Sequence, residues 1–168
     1  MTATVGIVST LDDVEQSGDG PVLFESGDLD VATGVTVGTR FQICVPVGAP
    51  VLNATLTLTA DEVDTTPTIA LIQGEASPDA APFSAVTTPS ARVRTTASVA
   101  WVFTTEWSPG TIEASPDISA IINEIVSSPE WNGCGSVVLF LEGTGDREAV
   151  SFDTDPLTAP SLEITYQP

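Results

Sequence analysis

The chain has 168 residues, 42% of them hydrophobic and 16% charged, which fits one folded domain with a single core and excludes a disordered chain. Its 23 acidic residues face only four basic ones, all arginine, and it contains no histidine, so the formal net charge is -19. Nucleic acid and anionic membranes are excluded as partners, since binding either one requires lysine and arginine to neutralise its charge.

The N-terminal segment and the longest uncharged window both lack the pattern of a membrane or export signal. The residues after Met1 form neither the basic nor the apolar region of a signal peptide, so no cleaved export signal is predicted. The uncharged window 41–60 is interrupted by Pro46, Gly48 and Pro50. We predict two strands and a turn there rather than a membrane span.

Alternation of apolar and polar residues predicts β-strands along most of the chain. In the first strands, one face carries Phe41, Ile43 and Val45, and the next carries Ala54, Leu56, Leu58 and Ala60. Further strands are predicted at 68–74, 97–103, 136–143, 148–153 and 161–166. Short strands separated by glycine, proline and aspartate turns indicate an all-β sandwich or barrel.

One short α-helix is predicted over about residues 116–127. Ser115 is the expected N-cap, Pro116 the first helical residue, and Asp117 favours the positive end of the helix dipole. Apolar residues recur at helical spacing, at 118, 121, 122, 125 and 126. We expect this helix to close one open end of the sandwich.

The positions of the two cysteines in the sequence do not show whether they form a disulfide. Cys44 lies in an apolar strand and Cys134 in a turn, and two cysteines allow one disulfide without showing that they are close. A zinc site is disfavoured because no histidine or third cysteine completes the ligand shell. We expect free thiols.

The absence of histidine and lysine predicts a protein without catalytic activity. Neither a Ser-His-Asp triad nor a Schiff-base lysine is available, and no carboxylate pair stands out as the acid and base of a glycosidase. Acidic clusters at 12–15, 28–30, 61–64 and 146–155 could bind calcium, although none has the EF-hand spacing. Most of these residues are expected to be solvated turn residues.

Three tryptophans are the candidate aromatic binding residues. Trp101 alternates with Val99 and Phe103 and is expected in the core, whereas Trp107 follows a strand and Trp131 follows the helix. Either of the last two could stack on a sugar ring or pack as a cover of the core. Arg92 and Arg94 are expected to pair with internal carboxylates.

The order of several motifs resembles the disaggregatase-related, carbohydrate-binding-like jelly-roll modules of secreted bacterial and archaeal proteins. The motifs are Val37–Phe41, Pro46–Ala49, Ala60–Asp64, Gly74–Ala76, Ala97–Trp101, Pro116–Val126, Pro129–Trp131 and Ala159–Leu162. The resemblance implies a jelly-roll-like antiparallel β-sandwich formed by residues 1–168 as a single domain, with a non-catalytic role. By analogy with such modules it also implies a structural calcium ion bound by Asp13, Glu15 and Asp153.

Two functions follow as hypotheses. The high acidity suits a saline environment, where salt screens self-repulsion over about 3 Å at 1 M, although selection for solubility alone is the simpler alternative. We expect a virion component, a capsid-decoration or fibre protein at the virion surface, bound to other virion proteins and to copies of itself. The alternative is an extracellular carbohydrate-binding or adhesive module that recognises a cell-surface glycan, alone or with a polysaccharide-active enzyme.

Overall fold

Antiparallel strands form nearly all the regular structure of the computed structural model, which describes residues 1–168. The strands are β1 (Thr2–Gly6), β2 (Asp13–Ser17), β3 (Val22–Leu23), β4 (Asp28–Asp30), β5 (Val35–Cys44), β6 (Val51–Thr59), β7 (Thr68–Glu75), β8 (Arg94–Phe103), β9 (Ile112–Ala114), β10 (Cys134–Thr144), β11 (Glu148–Val150) and β12 (Ser161–Tyr166). The helix α1 spans Ser119–Val126, and a 3₁₀ turn spans Pro89–Ala91. No helix has the length and apolar character needed to cross a membrane.

The strands form two main sheets in a jelly-roll order. One sheet has the order β1-β12-β6-β9, and the other has the order β3-β2-β5-β10-β7-β8. Without the added strands β2 and β3, numbering the remaining eight along the chain gives the orders 1-8-3-6 and 2-7-4-5, which is the arrangement of a jelly roll. β4 and β11 pair separately as a small two-stranded sheet. The predicted all-β sandwich with one short helix is confirmed.

The core lies between the two sheets and contains the residues that alternation predicts. Ala54, Leu56 and Leu58 of β6 are each at most 1% exposed, and Phe41 and Ile43 of β5 are buried opposite them in a cluster of 30 residues. The intervening threonines of β6 point away from this cluster, as expected for a pleated strand with one buried face.

A second, smaller apolar cluster covers the outer face of the six-stranded sheet. The segment 76–93 crosses this face and places Ala80 and Phe83 over Val14, Val138 and Phe140. The phenyl ring of Phe83 lies against Gly38, where an added Cβ would come within 2.5 Å of it. Glycine is therefore required at this position in β5 for the covering segment to pack.

The helix begins three residues later than predicted, and Ser115 does not cap it. Ser115 instead continues the pairing of β9 with β6, since its hydroxyl accepts the Leu56 N–H at 3.0 Å and its own N–H bonds the Leu56 carbonyl. Asp117 likewise accepts the Ala54 N–H at 3.0 Å as well as the Ser119 N–H. Ser115 and Asp117 therefore bond the backbone of β6, and Ser115 does not form the expected N-cap of the helix.

The two cysteines form a disulfide, so the expectation of free thiols is wrong. Cys44 and Cys134 occupy directly opposite positions on β5 and β10, with their Cα atoms 4.1 Å apart, although 90 positions separate them in sequence. Both residues are exposed at the outer face of the sheet. The disulfide therefore cross-links the two longest paired strands of the fold.

We expect the Cys44→Ser/Cys134→Ser variant to be less stable by about 2 to 5 kcal/mol, because the crosslink closes a long loop in the unfolded chain. Urea unfolding of the wild type with and without a reducing agent measures the same difference. The double variant serves as the control, since reductant should leave its midpoint unchanged. A wild-type midpoint that is insensitive to complete reduction would contradict this prediction.

Candidate functional site

All four arginines lie inside the fold or against its covering segments, which leaves the exposed charge almost entirely negative. Arg40 bonds Asp12 at 2.7 Å, and its side chain is 11% exposed. Arg92 bonds Glu75 at 2.6 Å and Arg94 bonds Glu142 at 2.9 Å, so the prediction that these two arginines pair with internal carboxylates is confirmed.

The same arginines also pack on aromatic rings. The guanidinium carbon of Arg92 lies 4.3 Å from the centre of the Phe83 ring, and that of Arg94 lies 3.4 Å from the centre of the Phe140 ring. Burial is the largest cause of a lowered pKa at Arg94, and the bond to Glu142 opposes it. These cations therefore hold the covering segment and the sheet together rather than recognising an external anion.

Trp107 is buried, so of its two predicted roles the structure shows packing in the core rather than stacking on a sugar. The indole is 0% exposed and packs edge-on against Phe103, with ring centres 5.0 Å apart. Its backbone N–H and carbonyl exchange hydrogen bonds with Asp64. The loop after β8 folds back onto the sandwich, which the local sequence did not indicate.

Trp131 is also unavailable to a ligand. Its indole N–H donates to the Val45 carbonyl at 2.8 Å, and the ring packs against Gly135 with 4% of the residue exposed. Trp101 is buried as predicted. No aromatic side chain is fully exposed, since even Phe24 and Phe152 are partly covered. The three tryptophans therefore offer no exposed ring to a sugar.

A carboxylate cluster lies on the small sheet formed by β4 and β11. Asp28 and Asp30 alternate along β4 and therefore share a face, while Glu148 pairs directly with Asp30 across the strands. One carboxylate oxygen from each of the three residues lies within 4.8 Å of the others, and all three side chains are partly exposed. This cluster is the strongest candidate cation site in the molecule.

The charges in this cluster oppose ionisation. Burial raises the pKa of Asp30 to about 6, and repulsion from Glu15, Asp28 and Asp146 adds to the shift. Burial also raises the pKa of Glu148 to about 7, with further repulsion from Glu62 and the cluster itself. No cationic side chain bonds any of the three carboxylates.

The three calcium ligands implied by the resemblance do not form one group but fall in two neighbouring places. Glu15 is buried beside the cluster, where it accepts the backbone N–H of Asp30. Asp13 accepts the Phe152 N–H at 2.7 Å, and burial followed by repulsion from Asp153 and Asp12 raises its pKa to about 6. Asp153 is exposed near Asp13.

The cluster offers carboxylate oxygens that a divalent cation could bind. Three carboxylate oxygens at short mutual distance are the hard ligands that Ca²⁺ prefers, and partial exposure leaves room for water to complete its coordination. A bound divalent cation would also cancel the repulsion that raises the pKa of Asp30 and Glu148. The sequence placed Glu148 and Asp30 in two separate acidic clusters, because only the cross-strand register brings them together.

Comparison of the sequence with protein-family models and with curated protein sequences gives no match to either. The resemblance to jelly-roll carbohydrate modules therefore stays a hypothesis based on the motifs alone.

We predict that, in the presence of a chelator, the melting temperature falls as the pH rises from about 4 to 7. Asp13, Asp30 and Glu148 have pKa values of about 6, 6 and 7 in the folded protein, against ordinary values near 4. In this range the folded state binds more protons than the unfolded state, so raising the pH favours unfolding.

Thermal unfolding at constant salt across this pH range measures the effect. The Glu148→Gln variant should flatten the profile between about pH 6 and 7, because it removes the group with the highest pKa. Glu163→Gln, on the exposed side of β12, is the matched control and should keep the wild-type profile. A Glu148→Gln profile as steep as that of the wild type would contradict the assignment.

Proposed function

We propose that the chain is a non-catalytic structural module on the outside of a particle that is exposed to salt, most specifically a capsid-decoration or fibre protein of a virion. The observation that carries this proposal is the placement of charge. Three arginines pair with carboxylates of the fold and Arg147 is fully buried, whereas most of the 23 acidic residues are at least partly exposed, so the surface is negative with almost no compensation. Such a surface is best tolerated where salt screens it.

The disulfide supports an exterior location. Disulfides form and persist in oxidising surroundings and are rare in the reducing cytoplasm. Cys44 and Cys134 are exposed, so a reducing agent would have direct access to their sulfur atoms. A protein that acts outside the cell, as a virion exterior does after release, keeps this crosslink.

The fold also suits a structural role. Two packed sheets with a 30-residue core give a rigid body, and the connections between strands are free to vary at its ends. The chain has no histidine or lysine, and its one group of convergent carboxylates offers the hard oxygen ligands that a divalent cation prefers. These features favour assembly over catalysis.

The alternative of a carbohydrate-binding module loses the residues that motivated it. Trp107 and Trp131 are buried, and the only aromatic rings with appreciable exposure, those of Phe24 and Phe152, are partly covered. Recognition of a glycan would have to depend mainly on polar contacts. Reproducible binding to a glycan array would favour this alternative.

The proposal is tested with purified virus particles from the source of this gene. We expect the gene to lie among virion genes, the chain to be found in the particles, and the purified protein to rebind in concentrated salt to particles stripped of it. A parallel glycan array in the same salt is expected to be blank. Absence from the particles, or reproducible binding to one class of glycan, would overturn the proposal.

Within this function, we propose that Asp28, Asp30 and Glu148 bind a structural calcium ion. Calcium at about 100 times its dissociation constant stabilises a protein by about 2.7 kcal/mol, so the melting temperature at pH 7 should rise on adding CaCl₂ and fall with a chelator. Glu148→Gln should reduce this response, and Glu163→Gln should keep it. An identical melt with calcium and with chelator would dismiss the site.

A further inference from the structure

The edge of the six-stranded sheet at β8 is open. On one side β8 pairs with β7. On its other side, the backbone N–H groups of Thr96 and Ala97 both donate to the Glu124 carboxylate at 2.7 Å. From Ser98 to Phe103 the backbone makes no hydrogen bond apart from those to β7. A stretch of six residues, about 20 Å long, therefore presents unpaired donors and acceptors.

The outer face beside this edge is apolar and uncharged. Val102 and Ala100 of β8 lie directly opposite Ile69 and Leu71 of β7, and all four side chains are exposed. Residues 95–105 include no charged side chain. Glu142 of β10 lies directly opposite Leu71 and is bonded to Arg94. In a molecule with a net charge of -19, this is a surface that a like-charged molecule can approach.

Open edges of this kind are usually protected. Proteins place lysine, proline or a bulge on a long edge strand, or cover it with another element, because a free edge pairs with other strands. The stretch from Ser98 to Phe103 has none of these residues and no bulge, and the protection by Glu124 ends at Ala97. The free edge is therefore expected to be covered in the assembled protein.

We propose that β8 pairs antiparallel with β8 of a second copy of this chain across a two-fold axis through Ala100. Directly opposite residues in an antiparallel pair point to the same face, so Ala100 faces its own copy and Ser98 faces Val102 of the second copy. The pairing joins the two six-stranded sheets into one sheet of twelve strands.

The charge distribution selects a second copy over other partners. From Ser98 to Phe103 the strand offers no carboxylate of its own to a cationic partner, and the Glu124 carboxylate at the end of this stretch is already bonded to Thr96 and Ala97. A copy of the chain meets an uncharged strand with a small residue at the axis. The same surface on both molecules is the usual arrangement in a two-fold dimer, and β8 is self-complementary in this register. If the purified chain is a monomer, the free edge is left for an unrelated neutral strand.

The mass of the protein in concentrated salt tests the proposal. We expect sedimentation equilibrium to give twice the chain mass of 17.3 kDa, with the Ala100→Asp variant raising the dissociation constant at least about tenfold, because two carboxylates would then face each other directly. The control is Ala3→Asp, an exposed alanine on the edge strand β1 of the other sheet, which should dimerise as the wild type does.

Cysteine crosslinking tests the register independently. Cβ atoms of directly opposite residues lie about 4.5 to 5.5 Å apart, so Ala100→Cys should form a covalent dimer under mild oxidation while Ala3→Cys should not. A monomer at all concentrations, or a dimer that survives Ala100→Asp and is not crosslinked through Ala100→Cys, would overturn the proposal. Neither measurement uses virus particles, so its failure is distinct from failure of the proposed function.

Discussion

Repulsion among carboxylates is the constraint on which the rest of this structure depends. With 23 acidic residues and four arginines, the fold cannot neutralise its surface and instead places each cation where it holds elements together. Arg40 links β5 to the loop before β2, and Arg92 and Arg94 fix the covering segment and the edge of the sheet. Most of the remaining carboxylates have no cationic partner, and three of them, Asp28, Asp30 and Glu148, lie together on the small sheet.

The regular alternation of residues was sufficient to predict most of the long strands. It assigned the buried faces of β5 and β6 correctly, because each of these strands has one face in the core and the other toward solvent. It missed short strands such as β4 and β9, whose three residues carry too little pattern to be recognised. Local periodicity therefore predicts the layers of the sandwich but not the small elements between them.

The candidate site was harder to predict, since its parts come together only through pairing between distant strands. Glu148 reaches Asp30 across 118 positions of sequence, and Cys44 reaches Cys134 across 90. Neither distance can be read from spacing. The sequence could not decide between the two roles of Trp107 and Trp131 for a related reason: a tryptophan next to a turn has the same local sequence whether its ring packs inward or faces solvent.

The disulfide gives the molecule a mechanical property. Met1 and Tyr166 lie together where β1 pairs with β12, so a pull on the two ends would open that ladder one hydrogen bond at a time. The disulfide between Cys44 and Cys134 then transmits the force directly from β5 to β10, so the residues between the two cysteines are not stretched. The pulled chain can therefore extend only by the length of the residues outside this loop, as long as the disulfide is intact.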